Sequence, residues 1–184
     1  MRRDLELDSE VSDENYFGRI PGLAGLLLLS TLIGWLLPKD HVATRLGRYH
    51  QPPEAIWNAI TDVEAMPSWR EGLQGVQHLP DRNGLRAHLE TTSSGKVPME
   101  TMEMTAPQKL VTRIADPKLP FGGTWTFEIA PAAEGATLRI TERGYVTNPF
   151  FRFMSRFVFR QTSTMEIYLK SLAKKFGEEP RIGE

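Results

Sequence analysis

The tightest constraint on this chain lies near its N-terminus, where residues 20–37 (IPGLAGLLLLSTLIGWLL) run for 18 positions without a charge between Arg19 and Lys39. As a helix, that run is roughly 27 Å long, close to the hydrocarbon thickness of a bilayer. Pro21 and Pro38 stand at its two ends, where helices tolerate or end on proline, and Trp35 sits near one boundary as interfacial tryptophans do. A core helix would alternate with polar positions, whereas this run is apolar all round. A cleavable signal peptide is the competing reading. Leu36-Leu37-Pro38-Lys39 offers no small-residue cleavage site, however, and an acid-rich tail is unlike a signal n-region. Residues 20–38 are therefore expected to form a single-pass transmembrane anchor, which places the protein at a membrane. Arg2, Arg3 and Arg19 on one flank balance Lys39, Arg45 and Arg48 on the other, so the sequence sets no orientation.

Charge divides at the same place. Residues 1–38 hold three arginines against six acids, and the remainder holds 19 basic against 17 acidic residues, for a net charge of −1 in all. Residues 1–19 read as a solvated acidic tail without apolar period. Neither half has the excess of cations that phosphate-backbone binding requires, which argues against a nucleic-acid partner. The chain has no cysteine, so disulfides, thiolate zinc sites, iron–sulfur clusters and cysteine nucleophiles are all excluded.

After Pro38 the texture is that of one folded domain of about 140 residues. Residues 41–50 read as a strand. Pro53 at a helix N1 position, with Glu54 in the first turn, starts a helix whose apolar face is Ile56, Trp57 and Ile60. Residues 62–69 (DVEAMPSW) end that helix and make a second short one broken at Pro67. Alternation of period two then marks strands at 73–79, 85–93, 97–106, 110–116, 123–130 and 136–146, separated by short turn-forming links. Links this short make an antiparallel meander. A long helix is expected from Pro149 to about Phe176, its apolar arc including Phe150, Met154, Phe157, Met165, Leu169 and Leu172, with Gln161 as the one polar member. The simplest packing lays this helix in the concavity of the curved sheet, an α+β arrangement.

At this level the residues resemble a known family. Pro53-Glu54-Ala55-Ile56-Trp57, Met66-Pro67-Ser68-Trp69, Gly123-Thr124-Trp125-Thr126-Phe127, and Glu142-Arg143-Gly144 leading through Asn148-Pro149 into the last helix occur in the order and spacing of the START-like (SRPBCC) superfamily of polyketide cyclase/dehydrase and lipid-transport type. The resemblance covers about residues 41–177, leaves out the anchor, and leaves 178–184 as a tail. It implies a helix-grip fold, a curved sheet wrapped around the long helix, with a hydrophobic cavity between them. It implies no single activity and no cofactor.

The residues expected to line such a cavity are Trp57, Met66 and Trp69 near the short helices and Trp125, Phe127, Ile140 and Glu142 on the strands. Met154, Phe157, Gln161 and Met165 complete the set from the long helix. Glu142 shares a strand face with Leu138 and Ile140, so it is either a polar anchor for a ligand or a strand-end acid that pairs with an arginine such as Arg113. Gln161 is likewise a ligand contact or a satisfied core amide. Leu85, Ala87 and Leu89 make an apolar strand face, which is expected to turn Arg86, His88 and Glu90 outward. The four histidines lack metal-ligand spacing, and no nucleophile elbow or phosphate-cradling loop occurs. Arg152, Arg156 and Arg160 recur on one face of the final helix, where they would either meet anionic headgroups or remain a solvated face.

The sequence thus supports binding of a hydrophobic small molecule, such as a lipid, quinone or polyketide-like compound, better than catalysis. A cyclase- or aromatase-type enzyme and a ligand-free, membrane-anchored interaction module are the alternatives. Membrane lipids are expected partners.

Overall fold

The computed structural model describes residues 19–82, 84–158 and 162–183, with side chains from Leu23 onward. The acidic tail over 1–18, and with it Arg160 and Gln161, lies outside the described residues. Helix α1 (Arg19–Leu36) leads into strand β1 (Asp40–Tyr49), helix α2 (Pro53–Thr61) and a short 3₁₀ turn (Met66–Ser68). Six strands follow: β2 (Leu73–Arg82), β3 (Leu85–Thr92), β4 (Gly95–Thr105), β5 (Lys109–Ile114), β6 (Phe121–Ala132) and β7 (Gly135–Val146). The chain closes with α3 (Pro149–Phe157), α4 (Ser163–Lys175) and a short β8 (Arg181–Gly183). All eight strands form one curved antiparallel sheet in the order β2-β3-β4-β5-β6-β7-β1-β8, gripped by helices on its inner face.

Three differences from the sequence expectation have physical causes. The single long helix is two. Asn148 caps α3 by accepting a hydrogen bond from the Phe151 N–H, Pro149 sits in its first turn, and the helix ends at Phe157. A separate α4 then starts at Ser163. It is pinned to the sheet where the Arg45 Nε donates to Glu166 at 3.1 Å and its Nη2 to the Thr162 hydroxyl at 3.2 Å. Residues 181–183, expected as tail, pair with Leu46–Arg48 and cover the outer edge of β1. The third difference concerns α1. Among the described residues no helix is long and apolar enough to cross a membrane. The helix packs instead on α3, where a Cβ on Gly34 would lie 1.8 Å from the Pro149 carbonyl oxygen, so only glycine allows this approach. Its other faces stay open, with Leu23, Leu26, Leu28 and Trp35 each more than 60% exposed.

The core explains why one end of the sheet is closed. Tyr49, Ile56, Ile60, Leu138, Ile140, Met165, Leu169 and Leu172 are each at most 2% exposed. With Phe127 and Ile129 of β6, they join α2 and α4 to β1, β6 and β7. Each such side chain contributes about 1.5–3 kcal/mol by burial. The Tyr49 hydroxyl donates to the Leu169 carbonyl at 3.1 Å, and burial raises its phenol well above the usual value. These residues lie toward the ends of β1 and β6 that adjoin α2 and β8. At the opposite end of the sheet β1 begins, β7 ends, β6 begins and β3 ends, and there α1 and α3 attach: the Val146 N–H donates to the Lys39 carbonyl at 3.0 Å.

Candidate functional site

Directly opposed residues in an antiparallel ladder point to the same side of the sheet. Glu142 on β7 opposes Trp125 on β6, Trp125 opposes Thr112 on β5, and Thr112 opposes Thr101 on β4. These four side chains form one row on the inner face, and a second row continues through Ile114, Met99 and His88. A register shift between Thr101 and Glu103 reverses the parity of β4, which lets Met104 join Thr101 on the inner side. Between these rows, Tyr168 and Thr164 of α4, and the segment from Ile60 to Arg70, lies a cavity of ≈ 320 Å³.

Its floor sets Thr101 and Thr112 among apolar side chains, and its charges are grouped at two points. On the β3 side, the Arg70 Nη1 donates to Glu90 Oε1 at 2.6 Å, and His88 Nε2 lies 3.6 Å from the same oxygen. The Glu90 and His88 side chains are only 9% and 8% exposed. Burial pushes the Glu90 carboxyl up, but the His88 contact and the Arg70 charge outweigh it and hold the group below its usual 4.5. Arg70 also sits 5.2 Å from the centre of the Tyr168 ring. That ring is wedged among Trp69, Trp125 and Phe127 at centroid distances of 5.4, 6.0 and 5.6 Å. Burial keeps Tyr168 a neutral phenol, against the opposing charge of Arg70. On the β7 side, Glu142 Oε1 lies 3.4 Å from His41 Nε2. The partner considered from sequence, Arg113, donates instead to Glu100 at 2.7 Å, because Arg113 and Glu100 oppose each other across β4 and β5.

Residues 50–177 match the family described as polyketide cyclase / dehydrase and lipid transport. The chain belongs to that family. No curated protein matches its sequence. Among solved structures it is similar to the protein TTHA0849 from Thermus thermophilus, at 18% identity and a TM-score of 0.58, over 74% of this chain and 95% of that one. A Thermobifida fusca protein is similar at 15% identity and 0.56, over 76% and 94%. The di-domain ARO/CYC StfQ from the steffimycin biosynthetic pathway is similar at 14% identity and 0.53, over 76% of this chain and 52% of that one. At these identities the likeness concerns the fold that polyketide cyclase / dehydrase and lipid-transport proteins share.

Of the residues singled out in the sequence, Met66, Trp125, Phe127 and Glu142 line the cavity. Trp57, Ile140 and Met165 are buried in the filled core instead, and Trp69 packs edge-on against Tyr168. Met154 and Phe157 lie on α3, away from the cavity, and Phe157 is 59% exposed. The break after α3 is the reason: the half of the expected helix that packs in the sheet's concavity begins only at Ser163. Arg156 is exposed on α3, but Arg152 is not on an outer face at all. It is 6% exposed and donates to the Leu37 carbonyl at 2.8 Å and the Thr147 carbonyl at 3.1 Å, capping the C-terminal end of α1.

Sequence reasoning turned His88 and Glu90 outward, and the structure turns them in. Period-two reading assigns the apolar residues of a strand to the core, yet β3 presents its polar face to the cavity because Glu90 opposes Val97 and His88 opposes Met99. The available signal was the Ser93-Ser94 hairpin. Counting outward from its flanking pair, Thr92 and Gly95, brings those partners together. Chemically, Glu90 is an ionised acceptor already engaged by a cation, suited to organising the cavity wall rather than to releasing a proton.

Proposed function

We propose that the chain binds an apolar or amphipathic small molecule, such as a lipid, quinone or polyketide-like compound, in the cavity between sheet and α4, and that α1 holds the domain at a membrane. The observation that carries the binding reading is a ≈ 320 Å³ space walled by Trp125, Phe127, Leu110, Ile114 and methionines, with charged groups confined to two internal pairs. Apolar ligand surface removed from water there contributes roughly 25 cal/mol per Å². The membrane reading rests on the uncharged run 20–37 and on its leucines, which remain exposed after α1 has docked on α3. Phe151 and Phe157 of α3, and Val158 just beyond it, are exposed apolar side chains as well. Both features meet at one end of the domain, since the sheet end that holds the cavity is the end at which α1 and α3 attach.

Native mass spectrometry of the chain purified from its own cells tests the binding reading, and carbonate extraction of membranes tests the attachment. A co-purifying apolar species and retention in the pellet are expected. An empty domain would favour the interaction module and defeat the binding reading, and release by carbonate would defeat the attachment. The Glu142–His41 pair on the cavity wall favours a second reading, proton transfer in a cyclase-type reaction. Turnover of a polyketide substrate that is lost in Glu142→Gln would establish it.

A further inference from the structure

If the cavity binds a small molecule as proposed above, its charges restrict which one. Among the described residues that line it, Arg70 is the one side chain that is positively charged at every physiological pH. Its Nη1 is already committed to Glu90 at 2.6 Å, with the guanidinium face laid over Tyr168. The other charged groups there are Glu90 and Glu142, together with His88, which adds a positive charge only when protonated and which contacts the same Glu90 oxygen. His41, behind Glu142, is likewise directed at a carboxylate.

A carboxylate or other anionic headgroup that reached the remaining N–H donors of Arg70 would have to share its single positive charge with Glu90. That would weaken the neutralisation of a carboxylate with 9% exposure and place a second negative charge beside it. A neutral hydroxyl or carbonyl meets no such penalty. Thr101 and Thr112 stand opposite each other on the cavity floor, and their hydroxyls can both donate and accept.

We propose that Glu90 is the specificity-determining residue of this cavity: by holding Arg70 it selects apolar ligands that carry a neutral polar group and turns anions away. Arg70 is thereby a cation neutralised in advance, and Glu90 beside it repels one ligand class while leaving another unpenalised.

Three ligands of matched shape test it: ethylnaphthalene, acetylnaphthalene and naphthoate, titrated calorimetrically at neutral pH into the full chain in lipid nanodiscs, with empty nanodiscs as the blank. Acetylnaphthalene is expected to bind at least about tenfold more tightly than naphthoate. Glu90→Gln keeps the shape but frees the cation, and should raise naphthoate affinity about tenfold or more relative to ethylnaphthalene. The double variant Arg70→Gln/Glu90→Gln should lose that gain. Naphthoate binding to the unaltered chain as tightly as acetylnaphthalene, or a folded Glu90→Gln variant with no gain, would overturn the inference while leaving hydrophobic binding intact. Should Glu90→Gln fail to fold, the ratio measured on the unaltered chain decides alone. If neither ethylnaphthalene nor acetylnaphthalene binds, the binding reading falls and this inference falls with it.

Discussion

Breaking the Arg70–Glu90 pair from each side, and then removing it whole, separates its stability role from its ligand role. The two side chains are 19% and 9% exposed and meet at 2.6 Å. Removing one partner of a buried pair costs about 3–5 kcal/mol, mostly because the other charge stays buried alone. Arg70 keeps some access to water, so Glu90→Leu is placed at the lower end, about 3 kcal/mol. Arg70→Met leaves the more deeply buried carboxylate unpaired and also forfeits the contact with the Tyr168 ring, worth about 1 kcal/mol. Replacing both by apolar side chains removes both desolvation penalties, so Arg70→Met/Glu90→Leu should lie within about 1 kcal/mol of the parent. At roughly 2–4 °C per kcal/mol for a chain of this size, Glu90→Leu should melt roughly 6–12 °C lower, Arg70→Met lower still, and the double variant near the parent.

Calorimetric unfolding of the four proteins forms a double-mutant cycle. Single losses below about 1 kcal/mol, the level of a surface pair, would refute the burial reasoning. So would a double variant as damaged as the two singles combined. The cycle also carries a pH signature. Because the folded-state Glu90 carboxyl lies below its usual 4.5, its contribution is fully present above that value and is lost as pH falls through the lower, folded one. The parent should therefore lose more stability on acidification than the double variant does.

Gly34→Ala should lever α1 off α3, since the added methyl meets the Pro149 carbonyl, and hydrogen exchange of the α1 amides should accelerate; unchanged protection would refute the docking. Ile140→Ala, in the filled core, should cost about 2–5 kcal/mol. Phe157→Ala, 59% exposed on α3, should stay within about 0.5 kcal/mol in urea unfolding, and a reversed order would mean that the two sites had been exchanged. In a carboxyl NMR titration, Glu166 should titrate below 4.5, because the Arg45 hydrogen bond outweighs its modest burial. Arg45→Met should move it up, and an unmoved midpoint would show that the pair does not form in solution.

How much of this was legible in the sequence depends on which periodicity carries the information. Strand positions and the meander followed from alternation and turn residues, and the inward placement of Trp125, Phe127 and Glu142 followed from parity within single strands. Three things did not. The α3–α4 break is invisible because Phe150, Met154, Phe157 and Met165 keep one helical phase across it, while the Arg45–Thr162–Glu166 contacts that start α4 join positions far apart in sequence. The burial of Arg152 depends on a carbonyl contributed by Leu37, on an element read as lipid-facing. And the Arg70–Glu90–His88 cluster was hidden by a rule that normally holds, that the apolar face of a strand is the buried one.

The failure of that rule on β3 and the existence of the cavity share one origin. Where α4 presents Met165, Leu169 and Leu172, the inner face of the sheet answers with Leu138, Ile140 and Ile129, and the space fills. One row further toward the end where α1 attaches, the opposing residues are Glu142, Trp125, Thr112 and Thr101, with Gly122 and Gly123 beside them and Thr164 on the helix. Threonine and glycine in place of leucine and isoleucine leave volume unfilled, and close packing elsewhere prevents the walls from collapsing into it. A hollow of this kind admits polar side chains that a filled core would expel, provided that they are paired, and Glu90 is paired by Arg70. The threonines and glycines at this end and the inward acid are therefore two consequences of the same feature: an end of the sheet whose inner face is not packed to completion by the protein's own side chains.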